Sequence, residues 1–179
     1  MEFSVDKAIE ILQATPRTLH ALLGDVSDEW IAGIQNPKSK IQNGPWEPFD
    51  VVGHLIHGEQ TDWIPRVRII LEQGDDRTFV PFDRFAQFEL SKGKSLIDLL
   101  SEFENLRREN VAALRQWNLT DEHLELEGVH PELGVVNLRQ LLATWVVHDL
   151  NHIRQITTAM ARKYSGEVGV WKEYLSILQ

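Results

Sequence analysis

Apolar residues recur at steps of three and four along most of this chain, and that periodicity confines it to helices. Val5, Ala8, Ile9, Leu12, Leu19, Leu22 and Leu23 outline a first helix, with Ser4 placed to cap it and Gly24 to close it. Pro16 lies inside that helix and is expected to kink or split it. Residues 24–47 contain Gly24, Gly33, Asn36-Pro37, Asn43-Gly44 and Pro45, and read as a long loop. A second helix begins near Pro48, a residue tolerated in a first turn, and runs to about Gln73. Its apolar positions include Val52, Leu55, Ile56, Trp63, Val67 and Ile70, with a bend expected at Pro65.

Residues 74–94 hold Asp75, Asp76, Pro81 and Gly93 and read as an irregular crossing. A third helix follows Ser95, an N-cap with Asp98 at N3, and keeps an apolar stripe through Leu96, Leu99, Leu100, Phe103, Leu106, Ala113 and Trp117. His130-Pro131-Glu132-Leu133-Gly134 marks a turn, and a fourth helix starts after Asn137 and runs to about Arg162. Val170–Leu175 is expected to form a short helix over one end of the assembly. Strand signals are nearly absent: no segment alternates for long, and no Asn-Gly turn is flanked by two alternating runs. The expectation is an all-α four-helix bundle filling one domain, residues 1–179, with no internal repeat. Long connections after the first and second helices permit crossovers.

Composition narrows the function classes. With 42% hydrophobic and 25% charged residues the chain matches an ordinary globular protein. No stretch approaches the ~18–20 apolar residues of a bilayer span, and the N-terminus lacks a secretory signal pattern. A cytoplasmic location without membrane contact is expected. There are no cysteines, which excludes a disulfide framework, a Cys-rich zinc module and a thiol nucleophile. Any metal site must use His, Asp or Glu. The net charge of -9 and the absence of a basic patch argue against nucleic acid as a partner.

Chemistry concentrates on the fourth helix, in Trp145-Val-Val-His148-Asp149-Leu-Asn-His152-Ile-Arg-Gln-Ile156. His148 and His152 are one turn apart and about 40° apart around the axis. Leu138, Leu141, Ile156 and Ala159 fall on the same side, so both imidazoles lie in or beside the apolar stripe. A divalent cation can use both rings, whereas the alternative is two core histidines satisfied by carbonyls or carboxylates. The residue after His148 is aspartate, so this is not the His-Glu-x-x-His of zinc peptidases. Asp149 reads either as a group orienting a ligand or water, or as a carboxylate pairing with another helix.

One helix face cannot surround an ion, so a third ligand must come from elsewhere. His54 and His57, in Val51-Val52-Gly53-His54-Leu55-Ile56-His57-Gly58-Glu59, are both candidates, and periodicity does not choose between them. Glu59 reads first as a structural carboxylate and second as a ligand acting through water. Trp145 reads as core, or as a wall beside His148. Arg154 and Gln155 reach a pocket rim or pair with acidic neighbours. His20, His123 and His130 sit in surface or loop contexts, and Glu122–Glu127 reads as a solvated acidic segment.

Three pieces in order resemble the DinB/YfiT-like family. They are Trp46 ahead of Asp50-Val51-Val52-Gly53-His54-Leu55, then His130-Pro131-Glu132-Leu133-Gly134 leading into Leu138–Trp145, then His148-Asp149-Leu150-Asn151-His152-Ile153-Arg154-Gln155-Ile156. The resemblance implies a four-helix bundle holding a divalent metal, often nickel or zinc, on three histidines. Carried over, these are His54, His148 and His152, which selects His54 over His57. Known activities in the family include thiol-dependent transferases, and others are presumed hydrolases.

Three neutral histidines leave an ion its full charge and an open position, as in catalytic sites. A small-molecule substrate can then meet an ionised water, or a low-molecular-weight thiol can bind as thiolate and attack. The absence of cysteine accommodates the second route, with the sulfur supplied by a cosubstrate. The expectation is thus a metal-dependent thiol transferase, with a hydrolase next and a non-catalytic bundle stapled by a structural metal as the third reading. An exposed apolar helix face, with the resemblance, admits a homodimer.

Overall fold

Ser4 Oγ accepts the Lys7 backbone N–H at 3.3 Å and starts α1 (Val5–Leu23). The computed structural model describes residues 1–31 and 46–179. Of the two outcomes expected at Pro16, the split does not occur: α1 runs through it unbroken. Proline deprives the Leu12 carbonyl of its helical donor, and Arg107 Nη1 donates to that oxygen at 2.8 Å instead. Thr15 and Pro16 are buried and fill the seven-residue gap in the apolar stripe. A short α2 (Asp28–Ile31) follows, and the breakers Gly33, Asn36-Pro37, Asn43-Gly44 and Pro45 lie outside the described residues.

The expected second helix is two helices, α3 (Pro48–Thr61) and α4 (Trp63–Glu72), meeting at Asp62. The break falls ahead of Pro65 because a proline ring clashes with the carbonyl four residues earlier, here that of Thr61. The crossing over residues 74–94 contains α5 (Ala86–Leu90), packed on α3. Gly53 makes that packing possible, since a Cβ there would sit 2.5 Å from Ser91 Oγ.

In α6 (Leu96–Gln116) Ser95 and Asp98 form the expected capping box. The buried line runs Leu99, Phe103, Arg107, Val111, Leu114, one notch away from the expected Leu106 and Ala113. Then α7 (Asp121–Leu124) buries Leu124, so the acidic run Glu122–Glu127 is not simply solvated. A hairpin that the periodicity did not predict follows, β1 (Glu127–His130) and β2 (Gly134–Asn137), antiparallel with Glu127 opposite Asn137 and His130 opposite Gly134. Its strands are too short to alternate, and Gly128 has no side chain because Phe79 lies 2.6 Å from where a Cβ would be. The predicted turn at His130–Gly134 is the hairpin's turn, with Gly134 at φ 79°. Asn137 caps α8 (Leu138–Lys163), accepting the Gln140 N–H at 2.9 Å. The C-terminal patch forms a 3-10 turn, Gly169–Tyr174, that buries none of its residues.

Around the bundle, α1 touches α6 and α8, and the α3–α4 pair touches the same two. Consecutive long helices α1 and α3 are therefore diagonal, and so are α6 and α8. Crossovers were admitted after the first and second helices; the first connection does span the diagonal, the second joins neighbours and the third spans the diagonal. The core is two apolar clusters, one around Leu12, Trp63, Val67, Val111 and Trp145, the other around Leu19, Leu55, Leu99, Phe103 and Ile156. A polar layer separates them: Arg107, Glu59 and Asp149, all fully buried. Among the described residues no helix is long and apolar enough to cross a membrane.

Candidate metal centre

Beside that polar layer α3 and α8 meet. Val51, Val52 and Leu55 fix α3 in the core, and Trp145 and Ile156 fix α8, so His54 faces His148 and His152 across the contact. His54 Nε2 lies 3.2 Å from His148 Nε2, which lies 3.1 Å from His152 Nε2. One nitrogen from each ring falls within 4.8 Å of the others. An ion bonded to imidazole at ~2.1 Å holds adjacent ligand nitrogens about 3.0–3.4 Å apart, for right-angled to tetrahedral geometry. Both pairs that include His148 have that spacing.

Protonation points the same way. Burial, then His152 and the neighbouring charges, push His54 down to about 3. Burial, then His152 and His54, push His148 down to about 2, and burial lowers His152. All three rings are neutral near pH 7. Gln155 Oε1 lies 2.8 Å from His152 Nδ1 and accepts its proton, which leaves the Nε2 lone pair bare toward the cluster. The buried Nδ1 atoms of His54 and His148 have no partner among the described residues, and a neutral ring can carry its proton on Nδ1 and offer Nε2 to a cation. The three residues can hold a divalent ion, and their donor set suits one.

Aromatic rings wall the cluster. Trp46 and Phe82 stand with centroids 4.9 and 5.4 Å from His54, and Trp63 stands 5.0 Å from His148. The break at Asp62 sets Trp63 there, stacked on Trp145 at an interplanar angle of 10°. His57, three residues past His54, turns away and packs on Phe82 at 4.9 Å.

Asp149 does not reach an imidazole. One residue beyond His148 it points into the bundle, where its Oδ1 accepts from Arg107 Nη2 at 3.0 Å and its Oδ2 from Nη1. Glu59 accepts from Arg107 at 2.8 Å, from Trp145 Nε1 at 3.0 Å and from Asn110 at 3.0 Å. Burial alone would lower the Arg107 pKa, but Glu59 and Asp149 outweigh it and raise it above its ordinary value. Sequence reasoning missed Arg107, although Phe103, Arg107 and Val111 at four-residue steps set a guanidinium on the core line. It also left the role of Gln155 open. His123 and His130 accept backbone N–H groups in turns, and His20 lies 3.6 Å from Glu104.

A bundle in which two helices bring three buried, neutral imidazoles to one point defines a helical protein with a built donor set for one divalent ion. This chain belongs to the DinB superfamily, whose sequence profile matches residues 11–156. It is similar over 90% of both chains to the solved structure of YfiT from Bacillus subtilis, at 25% identity and a TM-score of 0.69. YfiT is described as "a probable metal-dependent hydrolase with an unusual four-helix bundle topology". No curated protein matches the chain.

Proposed function

We propose that this protein is a divalent-metal-dependent enzyme acting on a small molecule, with His54, His148 and His152 as the metal ligands. The convergence of three imidazoles carries the reading: His148 Nε2 lies 3.1–3.2 Å from the Nε2 atoms of the other two, and one nitrogen from each ring falls within 4.8 Å of the others. A zinc or nickel ion held there supplies Lewis acidity, polarising a substrate group or making a bound nucleophile more acidic. The chain's own groups do the rest. Gln155 holds the His152 proton on Nδ1, so the coordinating nitrogen is free. Trp46, Phe82 and Trp63 limit water around the rings. Arg107 keeps both nearby carboxylates engaged and away from the donor set.

Two reactions suit such a centre. The likeness to YfiT supports hydrolysis, and a chain with no cysteine suits transfer to a thiol brought by a cosubstrate. Elemental analysis of protein purified without chelator tests the metal reading, compared with His54→Ala and His152→Ala. The expected result is near-stoichiometric metal lost in both variants, and equal content in all three would refute it. Turnover that depends on an added low-molecular-weight thiol marks transfer, and turnover without one marks hydrolysis.

A further inference from the structure

A cavity of about 290 Å³ adjoins the imidazole cluster, lined by Trp46, Asn151, Arg154, Gln155, Thr158 and Arg162. It shares two walls with the cluster. Gln155 bonds His152 Nδ1 at 2.8 Å, and the Trp46 ring lies 4.9 Å from that of His54. Arg154, Thr158 and Arg162 follow at four-residue steps, with Asn151 three residues before Arg154, so their donors line one stripe of α8.

The chain's 27 acidic residues outnumber its 18 basic ones, and Lys163, at the end of α8, pairs with Glu47 at 3.2 Å. Yet neither guanidinium has a carboxylate or hydrogen-bond acceptor among the described residues. Both guanidiniums border this one cavity, and an anion placed in it is attracted by each. Guanidinium forks match carboxylate and phosphate oxygens, and the Asn151 amide and Thr158 hydroxyl add neutral donors. The volume suits a small ligand.

We propose that this cavity binds an oxyanion, a carboxylate or phosphate group, belonging to the small molecule whose reacting part meets the histidines. That the occupant is the substrate rests on the metal-enzyme reading; the anion site itself rests on the cavity and its two arginines. Substrates of this class are therefore anionic at one end, and neutral analogues lacking that group bind more weakly.

Calorimetric titration of inorganic phosphate, and separately of succinate, tests this on the full chain, both as purified and after chelator treatment. The comparison is with the double variant Arg154→Gln/Arg162→Gln. Saturable binding is expected with and without metal, weakened at least about tenfold in the double variant, as for loss of charge-assisted hydrogen bonds. Tighter phosphate marks a phosphorylated substrate, and tighter succinate a carboxylated one. Should the double variant lose its helical signal, each single variant is expected to weaken binding by roughly threefold or more. Equal affinity in wild type and variants, or no saturable binding of either anion, overturns the proposal. So does binding that needs the metal and ignores both arginines, because the anion then sits on the ion. Metal content measured on the same samples keeps the two readings apart: wild type that carries no metal as purified without chelator, yet binds anions through the arginines, sinks only the enzyme reading.

Discussion

Arg107 and Leu12 are joined across the core by a hydrogen bond that Pro16 makes available. The Nη1 atom donates at 2.8 Å to the one α1 carbonyl whose helical donor the proline removes. The same guanidinium binds Glu59 and Asp149, so one side chain ties α1, α3 and α8 to α6 at mid-bundle. Removing it leaves two carboxylates buried without their cation. Arg107→Met is expected to cost about 3–5 kcal/mol, read from urea denaturation. Adding Glu59→Gln and Asp149→Asn should recover part of the loss. A cost under ~1 kcal/mol would mean the layer is not the tie described here.

Gln155 sets the tautomer of His152 through a 2.8 Å hydrogen bond. Gln155→Leu should weaken metal binding about 10–100-fold, as for other partners behind a metal ligand, while the metal-free protein melts as wild type does. Gln155→Glu should restore most of the affinity. Competition with a chromogenic chelator gives the number, and unchanged affinity in the leucine variant would refute the role.

Asp62, at the break between α3 and α4, gives a pH signature. Burial pushes its carboxyl from 3.8 up to about 6, against the opposing pull of Arg66. The folded chain therefore binds more protons at this site than the unfolded chain between those values. This contribution to stability is present below 3.8 and is lost as pH rises to about 6, by at most ~1.4 kcal/mol per pH unit. Asp62→Asn lacks that slope, whatever constant offset comes from leaving Arg66 without its partner. Denaturation midpoints at about pH 4.5, 5.5 and 7.5 should show wild type losing ground to the variant as pH rises. A pH-independent difference would contradict the shift.

Gly53 precedes His54 and lets α5 lie against α3. Because a Cβ there would meet Ser91 Oγ at 2.5 Å, Gly53→Ala is expected to destabilise by roughly 1–3 kcal/mol. Ser91→Ala removes the obstructing oxygen and should relieve most of that cost in the double variant. Additive losses in the double-mutant cycle would rule out the contact as the cause.

Local rules made the long helices legible. Ser4 and Ser95 cap where a capping residue was read, because a cap satisfies backbone groups within three residues of itself. The spacing of His148 and His152 is equally local, and it fixed their common face before any fold was known. The hairpin escaped notice because four-residue strands holding Gly128 and adjacent Val135 and Val136 carry no alternating signal. The end of α3 at Thr61 was misplaced for a related reason: Pro65 acts on the carbonyl four residues back.

Non-local partners decided the rest. By itself the sequence determined an all-α bundle, two histidines on one face and the exclusion of cysteine ligands, since periodicity and composition need no neighbours. Periodicity left His54 and His57 open and the family resemblance chose His54; the tertiary structure brought it to that pair, gave Asp149 to Arg107 and set Gln155 behind His152. Those choices depend on which helices lie diagonal and which adjacent, and on how far each is rotated about its axis. Packing between segments some ninety residues apart fixes both, and no residue spacing along the chain encodes it.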